Sequence, residues 1–101
     1  MNFSMVKQAM ELKSKINKAQ KELAKMTVEA ESGKGAVKVV VNGQQKLMSI
    51  SISPETASGK TDQLEKLVMK AMNEGLDKSN KLSQKYMSGL AGDLKIPGLT
   101  A

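Results

Sequence analysis

Residues 35–54 read GAVKVVVNGQQKLMSISISP, and this stretch predicts a β-hairpin. Two runs rich in β-branched residues flank the dipeptide Asn42-Gly43, a combination typical of hairpins. A loop of two or four residues places one apolar set on a single face of the two strands. This set consists of Val37, Val39, Val41, Met48, Ile50 and Ile52. A three-residue loop would divide the set between the two faces, so we exclude it.

A further strand precedes the hairpin and ends in the turn Gly33-Lys34-Gly35. If the last two of these residues occupy the turn, Glu31 faces Lys38 on the wet face, and Ala30 faces Val39 on the apolar face. Both hairpins then give the same division into a core face and a solvent face. We therefore predict a three-stranded antiparallel meander with strands at residues 27–32, 36–41 and 45–53.

Residues 3–26 predict a long amphipathic helix. Its apolar residues form a seven-residue repeat: Met5, Ala9, Leu12, Ile16, Ala19, Leu23 and Met26. This stripe has two equally good interpretations. The helix packs either on the chain's own sheet or on another helix, within the chain or across a dimer. Lysines lie on the far face (Lys7, Lys18, Lys21 and Lys25) and beside the stripe (Lys13 and Lys15). Such a row is usually a solvated face, but here only Glu11 and Glu22 offset six lysines.

A short helical turn and then a second long helix follow the sheet. Ser53-Pro54-Glu55 combines a helix cap, a proline suited to the first helical position and an acid. Gly59-Lys60 marks a break after this turn. We predict the long helix at residues 61–88, with Gly89 as its stop and a loop tail over residues 89–101.

The second long helix has an apolar face and its own group of lysines. The apolar face contains Leu64, Leu67, Val68, Ala71, Met72, Leu76, Leu82 and Tyr86. Gly75 and Ser79 thin this face in the middle, so we expect the second half to be the weaker amphipathic segment. Lys78, Lys81 and Lys85 follow at spacings of three and four and share one side of the helix.

The composition excludes several classes of protein. A chain of 101 residues is one domain, and with one Phe and one Tyr it has few large side chains for a core, which favours burial by oligomerisation. Because it contains no Cys and no His, it lacks disulfides, thiolate nucleophiles, the usual zinc ligands and the commonest general base. No apolar stretch reaches ~18 residues, and residues 1–7 do not resemble a signal peptide, so we expect a cytoplasmic protein without membrane or cofactor.

The net charge of +6 arises from 16 basic residues, all of them lysine, and 10 acidic residues. An excess of this size on a small chain suggests a polyanionic partner or simple solubility. Lysine neutralises phosphates, whereas arginine is the commoner reader of guanine edges, so the composition favours binding without sequence specificity. The scarcity of aromatic residues argues against single-stranded nucleic acid.

Residues 54–61 read PETASGKT and superficially resemble a phosphate-binding P-loop. A P-loop cradles phosphates with backbone N–H groups, and Pro54 has none. Glu55 would repel phosphates, and the preceding strands form hairpins instead of a parallel sheet. No other catalytic constellation is present, so we expect neither an enzyme nor a small-molecule substrate.

Taken in order, the motifs resemble the YbaB/EbfC family of bacterial nucleoid-associated proteins across essentially the whole chain. The motifs are residues 35–43 (GAVKVVVNG), residues 50–55 (ISISPE) and Ile96-Pro97-Gly98-Leu99. They are similar to the family patterns G-x-V-x-V-x-x-N-G, I-x-I-D-P-E and a terminal P-G-L. This chain differs from the family in having Ser53 in place of the Asp and in using lysine alone.

The resemblance implies an α+β fold, helix–three strands–helix, in an intertwined homodimer with projecting helices that bind double-stranded DNA. The candidate DNA-binding residues are Lys7, Lys13, Lys15, Lys18, Lys21, Lys25, Lys78, Lys81 and Lys85. We therefore expect a nucleoid protein that alters duplex conformation, with a role in nucleoid organisation and gene regulation. The alternative is a dimeric structural or adaptor module that binds a partner protein through its heptad-patterned helix.

Overall fold

Two long helices and a short one accompany a three-stranded antiparallel sheet in this computed structural model, which describes residues 2–94. The elements are α1 (Phe3–Lys25), β1 (Thr27–Ser32), β2 (Val37–Asn42), β3 (Leu47–Ile52), α2 (Pro54–Ala57) and α3 (Thr61–Leu94). The strand order β1-β2-β3 is that of a meander. The α+β fold class and the order of elements predicted from the sequence are therefore confirmed.

The strand register agrees with the pairing of apolar residues. Between β1 and β2, Glu31 lies opposite Lys38, and Ala30 lies opposite Val39. Between β2 and β3, Val39 lies opposite Ile50, as the single apolar face requires. A bulge at Val40/Val41 then shifts the pairing, so that Leu47 instead of Met48 lies opposite Val41.

The hairpin between β2 and β3 forms for a different reason from the one that the Asn-Gly dipeptide suggests. Its loop has four residues, and Gln45, with φ of 64°, adopts the left-handed conformation. The Asn42 Oδ1 atom organises the loop by accepting hydrogen bonds from the N–H groups of Gln44 and Lys46, both at 2.9 Å. Gly43 instead allows close approach to α1, because a Cβ there would lie 2.6 Å from the Leu23 carbonyl oxygen.

The core lies between α3 and the first two strands. Val37, Val39 and Val41 are almost completely buried, and α3 packs mainly on β1 and β2. The partly buried α3 residues that complete this core belong to the predicted apolar face: Leu64, Leu67, Val68, Met72 and Leu76. Two serine hydroxyls form hydrogen bonds between α3 and the sheet. Ser32 Oγ donates to the Leu67 carbonyl oxygen and Ser79 Oγ donates to the Asn42 carbonyl oxygen, each at 2.6 Å.

Gly75 and Ser79, which thin the predicted apolar face of α3, do not separate this helix from the sheet. They are buried with Ala71, one helical turn apart, and form a close contact between α3 and the sheet. A Cβ at Gly75 would lie 3.0 Å from methyl groups of both Val39 and Val41. The small residues therefore let the helix backbone approach the valines, which larger side chains would prevent.

Helix α3 continues beyond the predicted stop at Gly89 and ends at Leu94. A glycine inside a helix costs only about 1 kcal/mol relative to alanine, so it does not by itself end a helix. The predicted loop is therefore wrong for residues 89–94, and the motif Ile96-Pro97-Gly98-Leu99 lies outside the described residues. Among residues 2–94, none of the helices combines the length and apolar character that crossing a membrane requires.

Two apolar surfaces are exposed within residues 2–94. Helix α1 buries only Ala19 and Leu23, and all its residues before Leu12 are exposed. Strand β3 exposes Met48 by 53% and Ile50 by 43%, although Ile50 shares a face with the buried Val39. The molecule is elongated, with extents of 64 × 23 × 18 Å.

Candidate nucleic-acid interface

Helix α1 carries the largest group of predicted site residues. All six lysines of this helix are exposed: Lys7, Lys13, Lys15, Lys18, Lys21 and Lys25. Asn2 caps this helix by accepting a hydrogen bond from the Ser4 N–H at 3.1 Å. The heptad stripe includes Ala19 and Leu23, the two buried residues of the helix. Because the stripe faces the rest of the chain, most of the lysines, which lie on other sides of the helix, are directed away from the sheet. Within residues 2–94, none of these six lysines forms an ion pair.

Several of these lysines share one face of α1. Lys13, Lys18 and Lys21 line a shallow groove along the helix together with Met10, Ser14 and Asn17. Lys7 and Lys25 are 18 residues apart, which is five helical turns, so they occupy the same angular position about 27 Å apart along the axis. Lys13, which the sequence pattern places beside the apolar stripe, thus joins the basic face. Lys15 does not line this groove.

The lysines of α3 are less available. The Lys78 Nζ atom donates to the Glu29 carbonyl oxygen at 2.9 Å and lies 3.7 Å from the Glu74 carboxylate. The Lys81 Nζ atom lies 3.2 Å from the Asp77 carboxylate. An acid four residues before each lysine is the sequence signal of these pairs. The structure therefore brings two of the three α3 candidates into contacts within the chain.

Lys85, the third α3 candidate, is exposed and lines an apolar hollow on α3. Its neighbours there are Met26, Leu82, Tyr86, Gly89 and Leu90. The hollow lies where the end of α1 approaches α3, away from the groove of Lys13, Lys18 and Lys21. The structure therefore does not gather all nine candidate lysines into one site.

Phe3 and Met10 are absent from the sequence-predicted site, although both lie on the basic side of α1. Phe3 is 18 residues before Lys21 and so lies in line with it, and Met10 lines the lysine groove. Neither residue belongs to the heptad stripe. A helical projection of the sequence, read for apolar residues off the stripe, would have identified them.

The chemistry that this surface can perform is electrostatic. Ammonium groups donate hydrogen bonds and neutralise anions, and they provide no acceptor for a base edge. Among the described residues, no cluster of three His, Cys, Asp or Glu side chains could hold a metal ion. A small α+β domain with a row of ammonium groups on one long helix has the features of a polyanion-binding protein.

The comparisons with known proteins identify the family. The model of the YbaB/EbfC DNA-binding family matches residues 1–94. A nucleoid-associated protein of Thermoanaerobacter pseudethanolicus is 40% identical over 97 residues, which cover 95% of this chain and 87% of the relative. A nucleoid-associated protein of Pelotomaculum thermopropionicum is 40% identical over 96 residues, with coverage of 94% and 91%. The chain belongs to the YbaB/EbfC family, which is a DNA-binding family and not a family of enzymes.

A solved structure supports the fold independently. The crystal structure of an uncharacterized Helicobacter pylori protein superimposes with a TM-score of 0.78 and covers 89% of this chain and 97% of that one. Its sequence identity of 19% limits the comparison to the fold. The helix–meander–helix architecture is thus shared with a protein of very different sequence.

Proposed function

We propose that this protein binds duplex DNA mostly without sequence specificity and alters its conformation through phosphate contacts from α1. The observation that carries the proposal is the group of six exposed lysines on this helix, which have no ion-pair partner among residues 2–94. The relatives are named nucleoid-associated proteins, which supports a location in the nucleoid. We extend the proposal to a role in nucleoid organisation and gene regulation.

Phosphate contacts by lysine make a definite prediction about salt. DNA binding that neutralises phosphates releases counterions, and the affinity then falls linearly with salt on logarithmic axes. Contacts to ~6 phosphates correspond to a slope near −5, and such binding is usually micromolar or weaker at physiological salt. Because every basic side chain is lysine, we expect little discrimination between base sequences.

We further propose that the binding unit is a homodimer. The apolar surface of β3, with Leu47, Met48 and Ile50 exposed by 38%, 53% and 43%, supports coverage by a second copy. The heptad stripe at the start of α1 supports the same conclusion, because Met5 is 64% exposed there. A dimer would carry twice +6, or +12, and would present two lysine-rich helices to one duplex.

The test is the fluorescence anisotropy of a labelled ~25-base-pair duplex titrated with the protein at several salt concentrations. The variant Lys18→Gln/Lys21→Gln/Lys25→Gln should bind more weakly and with a flatter slope, by about 0.9 for each phosphate that is no longer neutralised. Circular dichroism and thermal unfolding should be unchanged, because none of the three lysines is buried in the core.

The matched control is Lys34→Gln/Lys46→Gln/Lys60→Gln, which removes the same charge from exposed turn and loop positions outside both long helices. Its salt slope should stay close to that of the unaltered protein. An equal flattening of the slope in both triple variants would show that net charge alone, and not α1, determines the affinity. No binding even at low salt would reject the proposed function.

One observation favours a second function, that of an adaptor. The start of α1 exposes a small apolar groove lined by Met5, Val6, Ala9, Met10 and Lys13, to which a partner helix could bind. Such a contact would be nearly independent of salt. A partner bound equally well at low and high salt, by a protein that does not bind DNA, would support this function over the first.

A further inference from the structure

Three large apolar side chains of α1 are exposed outside its heptad stripe: Phe3, Met10 and, by 39%, Val6. Phe3 is 91% exposed and Met10 is 67% exposed. The stripe runs through Met5, Ala9 and Leu12, and neither Phe3 nor Met10 belongs to this repeat. Packing of the stripe alone on a sheet or on a second helix leaves Phe3 uncovered, whereas Met10 also borders the apolar groove of Met5, Val6 and Ala9.

Both side chains lie on the lysine-rich face. Eighteen residues complete five helical turns, so Phe3 occupies the same angular position as Lys21. Met10 contributes to the groove that Lys13 and Lys21 also line. Phe3 and Met10 are seven residues apart, or about 10.5 Å along the axis, which is about three base-pair steps of a duplex.

The charges around Phe3 and Met10 favour DNA over a second copy of this chain. In an isologous contact a face meets its own copy, so Lys7 and Lys13 would approach the same lysines of the partner. Like charges brought together in this way destabilise a contact. A polyphosphate surface, in contrast, complements every charged side chain of this face.

The pattern of the same face also favours DNA over a membrane. A helix that lies on a membrane buries a continuous apolar face. Here the face continues from Met10 into Ser14, Asn17 and Lys21, which are all exposed and polar. Met10 thus lies where this polar, cationic surface meets the apolar groove of Val6 and Ala9, and apolar side chains beside cationic ones resemble the apolar wedges that deform duplexes.

We propose that Phe3 and Met10 insert between stacked bases of the bound duplex and thereby produce its deformation. This inference rests on the proposed function and assigns separate roles to the lysines and to the apolar side chains. The lysines of α1 provide affinity through phosphates, while the two apolar side chains unstack base steps. Wedges of this kind kink a duplex by about 20–90° and partly unwind it.

The test compares the double variant Phe3→Ala/Met10→Ala with the unaltered protein on two DNA substrates. The first is a ~25-base-pair duplex with a fluorophore at each end, whose energy transfer at saturation reports bending. The second is a relaxed closed-circular plasmid treated with topoisomerase in the presence of protein, whose change in linking number reports unwinding. Met69→Ala is the matched control, because Met69 is an exposed methionine (65%) on α3.

We expect the double variant to bind with an unchanged salt slope and an affinity within about tenfold of the original, because the lysines remain and the unstacking cost is removed. Its bending and unwinding should disappear, whereas Met69→Ala should keep both. Phe3→Leu should also keep both, because leucine serves as a wedge in other proteins. Both altered residues are exposed, so we expect the fold to be retained.

The possible outcomes separate this inference from the proposed function. If the unaltered protein binds the duplex without bending or unwinding it, or if the double variant deforms DNA equally well, the wedge is rejected while the DNA-binding function stands. If sedimentation shows that the double variant alone dissociates into monomers, Phe3 and Met10 are interface residues and the wedge is rejected. If the unaltered protein does not bind duplex DNA, both proposals fail.

Discussion

Helix α3 and helix α1 both carry an apolar face along one side but are packed very differently. Helix α3 buries Ala71, Gly75 and Ser79 against the sheet, and two of its lysines contact acceptors within the chain. Helix α1 buries only Ala19 and Leu23, and its lysines form no ion pair within the described part of the chain. The same kind of sequence pattern thus produces a structural helix in one place and an accessible surface in the other.

The difference shows how a thin-cored domain can keep a helix available for a partner. The sheet has one apolar face, and α3 covers β1 and β2 of that face. Helix α1 is consequently held near its C-terminal end, where Gly43 N–H donates to the Leu23 and Met26 carbonyl oxygens, both at 2.9 Å. A helix fixed at one end can present its remaining turns to a large ligand.

The largest expected effect is on the single large apolar anchor of α1. Leu23 is completely buried, so Leu23→Ala should lower the free energy of unfolding by about 2–5 kcal/mol. Met10→Ala, on the exposed half of the same helix, should change it by less than about 0.5 kcal/mol. Urea unfolding of both variants at equal protein concentration measures the difference. A comparable destabilisation in Met10→Ala would indicate that the first half of α1 is packed, for example against a second copy.

An intermediate effect is expected where α3 meets the sheet. Gly75→Leu would place its side chain against Val39 and Val41, and overpacking of this kind costs about 1–3 kcal/mol. Gly89→Leu is the control, because a Cβ at Gly89 meets nothing within 4 Å. It should stabilise α3 by about 0.5–1 kcal/mol through helix propensity. Thermal unfolding distinguishes the two, and equal stability of both variants would contradict the close contact at Gly75.

The smallest effect is expected for the lysines of α3. The variant Lys78→Gln/Lys81→Gln/Lys85→Gln should flatten the salt dependence of DNA binding less than the α1 triple variant does, because Lys78 and Lys81 already contact acceptors. Its stability should change by less than about 1 kcal/mol, since exposed ion pairs contribute little. Anisotropy titrations at matched salt concentrations test this. A flatter slope than that of the α1 variant would place the main DNA contact on α3.

Local patterns in the sequence predicted the elements and their pairing well. The register of the first hairpin, and of the second up to the bulge at Val40/Val41, follows from a period of two and from one apolar face, so Glu31 opposite Lys38 could be deduced without coordinates. The C-terminal extent of α3 could not be deduced from the sequence, because a glycine such as Gly89 occurs inside helices as well as just after them. The apolar side chains on the basic face, Phe3 and Met10, were missed because the heptad stripe was the stronger pattern.

By itself, the sequence determined the α+β order of elements, the strand register apart from the bulge at Val40/Val41, and the concentration of unbalanced lysines on the first helix. Periodicity, turn residues and charge are local properties, so they are readable along the chain. Only the tertiary structure decided that Gly75 and Ser79 form a close helix–sheet contact, that Gly43 admits the end of α1, and that Lys78 binds the Glu29 carbonyl. These features depend on distances between segments far apart in sequence, and no local pattern encodes such a distance.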